Sequence, residues 1–197
     1  MIARRVVGAL AASQLIGWGV TFYAVALLGR RIVDDTGWSL ATVHGGFSLA
    51  LVVMGLVSPA IGRRIDHAGG RAVMSLGSIL AAASLLALAG ATSLVTWFAG
   101  WIGLGVAMRM TLYDACFATL ARLDPADARR ALSQVALAGG VASTVFWAIG
   151  DLLAARLGWR GVLVVYAGFA LATLPLHLTV PAVAPRDPHR PAAARPA

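Results

Sequence analysis

The sequence predicts an all-α polytopic membrane protein with six transmembrane helices, and two observations lead to this prediction. Of the 197 residues, 59% are hydrophobic and 12% are charged, whereas charged residues make up roughly 25% of a typical soluble domain. The apolar residues also fall into six runs, each close to the ~20 residues that a helix needs to cross a bilayer. Too few charged side chains remain to cover the core of a soluble domain.

The six helices are expected over residues 6–28, 40–61, 72–91, 94–120, 132–155 and 162–180. In chain order, the connectors that separate them are "RRIVDDTGWS", "GRRIDHAGGR", "ATS", "RLDPADARRA" and "RLGWRG". The first run follows Arg4 and Arg5, but it exceeds the roughly 7–15 apolar residues of a signal peptide, so we take it as a retained helix.

The connectors are too short to form a separate soluble domain, so residues 1–180 are predicted to be one transmembrane domain. Residues 181–197 are rich in proline and alanine and hold few large apolar side chains. Such a composition does not pack into a core. We therefore expect a disordered cytoplasmic tail or a truncated linker there.

The arginines predict the orientation, because positive residues are enriched in cytoplasmic connectors. With the N-terminus inside, eleven arginines lie on the cytoplasmic side and four lie outside. Both termini are therefore expected in the cytoplasm, in a multi-pass protein of the cell (inner) membrane. The inner set is Arg4, Arg5, Arg63, Arg64, Arg71, Arg122, Arg129, Arg130, Arg186, Arg190 and Arg195, and the outer set is Arg30, Arg31, Arg156 and Arg160.

The same composition argues against several other classes of protein. The net charge of +8 comes from arginines in membrane connectors, so it does not point to nucleic acid. Cys116 is the only cysteine, and the four histidines have no metal-ligand spacing, so we predict no metal site and no cofactor. No phosphate-binding loop and no hydrolytic arrangement of Ser, His and Asp is present, and we predict no enzyme.

One charged connector, "GRRIDHAGGR" at residues 62–71, carries a recognisable pattern. It reads as Gly, three residues, Asp, a usually basic residue, one residue, Gly, one residue and a basic residue. This pattern resembles the cytoplasmic loop between helices 2 and 3 of major facilitator superfamily transporters. It departs from the family at His67 and Ala72, where basic residues are usual. The matching residues are Gly62, Asp66, Gly69 and Arg71.

Three further stretches, "DDTGWS", "ASTVFW" and "LGWRG", resemble the branch of monocarboxylate carriers and oxalate:formate exchangers. The resemblance covers residues 5–180 and implies the N-terminal half of a twelve-helix fold. In that fold each half consists of inverted three-helix repeats, and the substrate binds between the halves.

The resemblance also implies a conformational latch in this loop. Asp66 would cap the positive end of a helix in the other half, where a carboxylate is stabilised by the helix dipole. Asp114 would join the charge network of the loop by meeting Arg71 or Arg64.

The glycines of the loop have separate expected roles. Gly69 and Gly70 are expected to make a tight reversal that needs a positive φ. Gly62 is expected to let its helix approach a neighbour closely.

Arg109 is the leading candidate for substrate binding, because a charge inside a membrane helix usually serves function. Its planar guanidinium suits a carboxylate; alternatively, it snorkels to the cytoplasmic interface or pairs with a neighbouring helix. Asp114 lies five residues later, about 140° around a regular helix, so a same-face pair with Arg109 is not expected.

Four other residues complete the predicted binding site: Tyr113, Gln14, Trp18 and Trp147. Tyr113 shares the face of Arg109 and would donate a hydrogen bond to an anion, or would serve packing. The polar stripe of Gln14 and Trp18 would line the cavity, or would serve helix contacts.

The sequence therefore predicts a secondary active transporter of a small organic anion, with monocarboxylates as one class, working by alternating access with proton coupling. Its expected partners are that anion, the lipid bilayer, and either a missing C-terminal half or a second copy of the chain. The alternative is a half-length protein that does not transport and serves as a membrane or interaction protein.

Overall fold

The computed structural model describes residues 2–182, which contain helices and no strand. Of the predicted tail, residues 183–197 lie outside the described part of the chain. In chain order the helices are α1 (Arg4–Gly17), a π-helical turn (Trp18–Phe22), α2 (Ala24–Thr36), α3 (Leu40–Ala68), α4 (Gly70–Ala89), α5 (Leu94–Thr111), α6 (Tyr113–Leu123), α7 (Ala128–Gly140) and α8 (Ala142–Leu178).

Within residues 2–182, five helical segments are long and apolar enough to cross a membrane. The first, fourth and fifth each combine two or more of the helices named above. The five segments are Arg4–Thr36, Leu40–Ala68, Gly70–Ala89, Leu94–Leu123 and Ala128–Leu178. The sequence predicted six helices, and the difference lies in the 51-residue fifth segment, which covers both the fifth and the sixth predicted helix.

This fifth segment folds back on itself at Gly158. The backbone there has φ 66° and ψ 175°, which no helix contains and which glycine adopts without steric cost. The phenol oxygen of Tyr166 donates a hydrogen bond to the carbonyl oxygen of Phe146 at 3.1 Å, although the two residues are 20 positions apart. A straight helix would separate them by about 30 Å. The parts of α8 before and after Gly158 therefore pack side by side.

The buried apolar side chains form two clusters, one at each end of the bundle. The larger cluster contains Trp97, Leu104 and Leu112, and the smaller one contains Leu10 and Ala115. Backbone irregularities lie where the two clusters meet along the chain. They are the π-helical turn in the first segment, the extended Leu112 in the fourth and the junction at Val141 between α7 and α8.

Candidate functional site

The site begins at the interruption of the fourth segment. The helix α5 ends at Thr111, Leu112 is extended with φ −78° and ψ −168°, and α6 begins at Tyr113. An extended residue inside a helix removes the usual partner of a nearby carbonyl, and a buried carbonyl needs a replacement. The side-chain Nε2 of Gln14 supplies it by donating to the carbonyl oxygen of Thr111 at 2.8 Å. The single helix predicted over 94–120 is thus interrupted.

Gln14 is therefore held by the protein backbone in this conformation. Its side chain is 0% exposed, and its Oε1 has no hydrogen-bond partner within the described residues. The sequence prediction placed Gln14 on the cavity wall, in contact with substrate. The structure gives it a contact that links the first segment to the interruption in the fourth, which favours the alternative interpretation as a helix contact, and its role toward substrate stays a prediction.

Arg109 and Asp114 form an ion pair across the same interruption. The Nη1 atom of Arg109 lies 3.0 Å from Oδ2 of Asp114, and the two side chains are 13% and 56% exposed. The expectation that these residues do not pair is wrong, because the 140° separation assumed a continuous helix and Leu112 breaks it. The expected contacts of Asp114 with Arg71 or Arg64 are absent from residues 2–182, where Asp114 pairs with Arg109 instead.

The position of this ion pair implies a high free-energy cost if lipid contacts the charged groups, so water or protein should contact them instead. Arg109 lies next to the midpoint of the 30-residue segment Leu94–Leu123, and Asp114 follows directly after the interruption, in the first turn of α6. A half-exposed carboxylate at that depth is expensive in lipid. Nε and Nη1 of Arg109 are buried and make no hydrogen bond to the described residues, although Nη1 is at ion-pair distance from Asp114. The guanidinium thus keeps donor capacity for an anion.

Aromatic rings of the first and fourth segments pack together beside the interruption. The rings of Trp18 and Tyr113 lie 4.8 Å apart, and Tyr113 stacks on Phe117 at 5.0 Å. The phenol of Tyr113 donates to the carbonyl oxygen of Ala136 at 3.0 Å. Its hydroxyl proton is therefore engaged by α7, which favours the packing interpretation of Tyr113. The indole Nε1 of Trp18 is buried and makes no hydrogen bond within residues 2–182.

Trp147 stands apart from these residues. Its side chain is 47% exposed on α8, and within the described residues it makes no ring contact with the aromatic group around Trp18. The preceding residue, Phe146, packs into the core against Tyr166, with ring centroids 5.8 Å apart. The structure thus brings Gln14, Trp18, Arg109 and Tyr113 to the interruption at Leu112. It shows no hydrogen bond or ring contact between Trp147 and this group within residues 2–182, and the binding role of Trp147 stays a prediction.

The comparison with known families decides the class of this protein. The model of the Major Facilitator Superfamily matches residues 7–197. The chain belongs to the Major Facilitator Superfamily. No curated protein matches the chain. Members of the superfamily are transporters and not enzymes, and this facilitator is a multi-pass membrane protein. The finer resemblance to monocarboxylate carriers and oxalate:formate exchangers stays a prediction.

Over residues 2–182, no three His, Cys, Asp or Glu side chains come close enough to hold a metal ion. The side chains that meet at the interruption are the guanidinium of Arg109 and the carboxylate of Asp114.

The predicted latch loop connects α3 to α4 through a single residue, Gly69. Gly69 has φ 80° and ψ 162°, so the predicted positive φ is confirmed at this position. Gly70 begins α4, and a Cβ atom there would collide with the side chain of Thr119 on α6. At Gly62 no helix of residues 2–182 approaches closely, since a Cβ there would meet nothing within 4 Å.

Asp66 and Arg71 are exposed and form no ion pair or hydrogen bond with the described residues. Each residue also interacts unfavourably with the dipole of its own helix. Asp66 lies near the C-terminus of α3, which is the negative end, and Arg71 lies in the first turn of α4, at the positive end. Neither residue is stabilised by its own helix. Their latch role stays a prediction.

Replacing Gly69 with alanine is expected to lower the free energy of unfolding by about 1–3 kcal/mol, because its dihedrals belong to a region that only glycine occupies without strain. Thermal unfolding in detergent would measure the change. Gly62→Ala, in the same loop motif but helical and uncrowded, is the matched control and should be neutral or slightly stabilising. Equal losses in the two variants would contradict the role of Gly69.

Proposed function

We propose that this chain forms the six-helix N-terminal half of a secondary active transporter for a small organic anion, with monocarboxylates as the leading class. The Arg109–Asp114 pair is the observation that supports this proposal most strongly. It places a cation near the midpoint of the apolar segment Leu94–Leu123, and Nε of this cation makes no hydrogen bond to the described residues. Such a cation suits the planar carboxylate of an anion, which it can bind through two parallel hydrogen bonds.

Six crossings with both termini in the cytoplasm of a cell (inner) membrane are part of the proposal. The reversal at Gly158 supports six, because it divides the fifth segment into two antiparallel parts. The arginine bias supports the orientation.

Alternating access then needs a second half, packed against the side of the bundle on which Asp114 is exposed. The unpaired Asp66 supports this arrangement, since a helix N-terminus in another half would stabilise its carboxylate. A C-terminal half or a second copy of the chain would supply that helix.

The pair also suggests how a proton enters the cycle. In the empty state Asp114 is the counterion of Arg109. An incoming carboxylate that binds Arg109 displaces Asp114, which is then left without its cation inside the membrane. Proton uptake by Asp114 removes that cost. Anion and proton would therefore cross together, as in symport.

Uptake into proteoliposomes tests this proposal, with the polypeptide taken as it occurs in its source membrane. We expect a radiolabelled monocarboxylate such as lactate to accumulate when the outside is acidic and to stop accumulating after a protonophore is added. Carboxylate flux without any response to the pH gradient would contradict the coupling. Absence of both carboxylate flux and carboxylate-dependent thermal stabilisation would favour the alternative, a half-length protein that does not transport.

A further inference from the structure

A groove lies at the end of the bundle where α1 and α7 both begin, away from the Arg109–Asp114 pair. Its volume is about 480 Å³, which falls within the roughly 300–1,000 Å³ of ligand pockets. Arg4 and Arg130 form its polar walls, and Val7, Gly8, Ala11 and Ala131 form its apolar floor. Arg4, Gly8 and Arg130 are exposed, so the groove is open at the surface.

The charges of this groove favour an anion. Arg4 and Arg130 form no ion pair or hydrogen bond with other residues in 2–182, so both guanidinium groups are available. Among the described residues, Asp127 is the only acidic one that lines the groove, and its Oδ2 accepts a hydrogen bond from the backbone N–H of Ile2 at 2.9 Å. The helices α1 and α7 also start here, and neither start has a side-chain cap hydrogen bond, so their first backbone N–H groups add donors to the groove, with Asp127 at the N-cap of α7 as the opposing charge.

The apolar floor of the groove favours a lipid over a free anion, because it offers a surface for an acyl chain. Gly8 and Ala11 leave open space along α1, and a Cβ atom at Gly8 would meet nothing within 4 Å. Further along α7, Leu137 is 72% exposed and continues the apolar surface toward the membrane interior. An inorganic phosphate would use the arginines alone. A phospholipid would use the arginines and this floor together.

We propose that this groove binds an anionic phospholipid, with the headgroup phosphate between Arg4 and Arg130 and one acyl chain along Val7, Gly8 and Ala11. Arginine binds phosphate through paired hydrogen bonds, and basic pockets between helices at the cytoplasmic surface suit such headgroups. The site is separate from the transport site and does not depend on the proposed substrate.

Native mass spectrometry of the full chain in detergent tests the proposal, with phosphatidylglycerol and phosphatidylcholine of identical acyl chains as probes. We expect one phosphatidylglycerol to be retained at least about tenfold better than phosphatidylcholine. The double variant Arg4→Gln/Arg130→Gln is expected to lose this preference. The matched control Arg63→Gln/Arg64→Gln removes two exposed arginines at the end of α3 and should keep it. Equal loss in both double variants would overturn the proposal.

A second variant separates the lipid from a free phosphate and does not remove any charge. Gly8→Leu fills open space on the floor while it leaves Arg4 and Arg130 in place. It is expected to weaken retention of phosphatidylglycerol by at least about tenfold, as the arginine variant does. Full retention by Gly8→Leu, or displacement of the lipid from the unmodified chain by millimolar inorganic phosphate, would show a phosphate site and overturn the lipid assignment.

Discussion

Replacing Arg109 with glutamine is expected to lower carboxylate uptake by roughly 10- to 150-fold. The reason is that hydrogen bonds from a charged group to an anion contribute about 1.5–3 kcal/mol, and glutamine cannot supply the charge. The Nε and Nη1 atoms that glutamine removes are buried and free of hydrogen bonds to the described residues. Initial uptake rates over a range of carboxylate concentrations in proteoliposomes would measure the loss as a change in kcat/KM.

Asp114→Asn separates proton coupling from anion binding. It removes the proton acceptor and keeps the cation, so uptake should persist while its stimulation by an acidic exterior is lost. Arg156→Gln, which removes an exposed arginine of a connector, is the control and should behave like the unmodified chain. An Arg109→Gln variant that transports normally would contradict the anion site. An Asp114→Asn variant that keeps its full response to pH would contradict the coupling.

Replacing Gly105 with alanine is expected to lower the free energy of unfolding by about 1–3 kcal/mol, the usual range for overpacking a filled core. Gly105 on α5 faces the backbone of α3, and an added Cβ would lie 2.9 Å from Cα of Ala50 and closer still to its carbonyl oxygen. A backbone cannot rotate away as a flexible side chain can, so the two helices must separate.

Thermal or denaturant unfolding in detergent measures this difference. Gly55→Ala is the matched control on α3, because a Cβ there would meet nothing within 4 Å. It should leave stability unchanged or raise it by about 0.5–1 kcal/mol through the helical preference of alanine. Equal stability of the two variants would show that α3 and α5 do not pack as closely as the structure places them.

The helical membrane fold follows from the sequence, but several helix ends do not. The second helix was predicted over 40–61, whereas α3 extends to Ala68. The charged residues of the loop mark the limit of the apolar run and do not break a helix. The backbone continues as a helix until Gly69 supplies the positive φ that ends it.

The ion pair at the centre of the site was beyond sequence reasoning. No glycine or proline marks Leu112, and neither Arg109 nor Asp114 carries a sign of the interruption between them. The helix ends there within a tertiary environment that includes a hydrogen bond from Gln14, 97 residues away in the chain. Periodicity describes one continuous helix and cannot report such a contact. The charge of Arg109 inside an apolar run did bring that residue forward as a candidate, and helical spacing added Tyr113, Gln14 and Trp18.

Thiol accessibility tests the central claim most directly, namely that the Arg109–Asp114 pair faces water and an anion and not lipid. Asp114→Cys would be made in a Cys116→Ala background, because Cys116 is the only native cysteine. Ile79→Cys, on a side chain that is 48% exposed on α4, is the comparison for lipid. The account predicts that Asp114→Cys reacts with a water-soluble thiol reagent, that carboxylate slows the reaction, and that Ile79→Cys stays unreactive. Equal inertness of the two variants would contradict it.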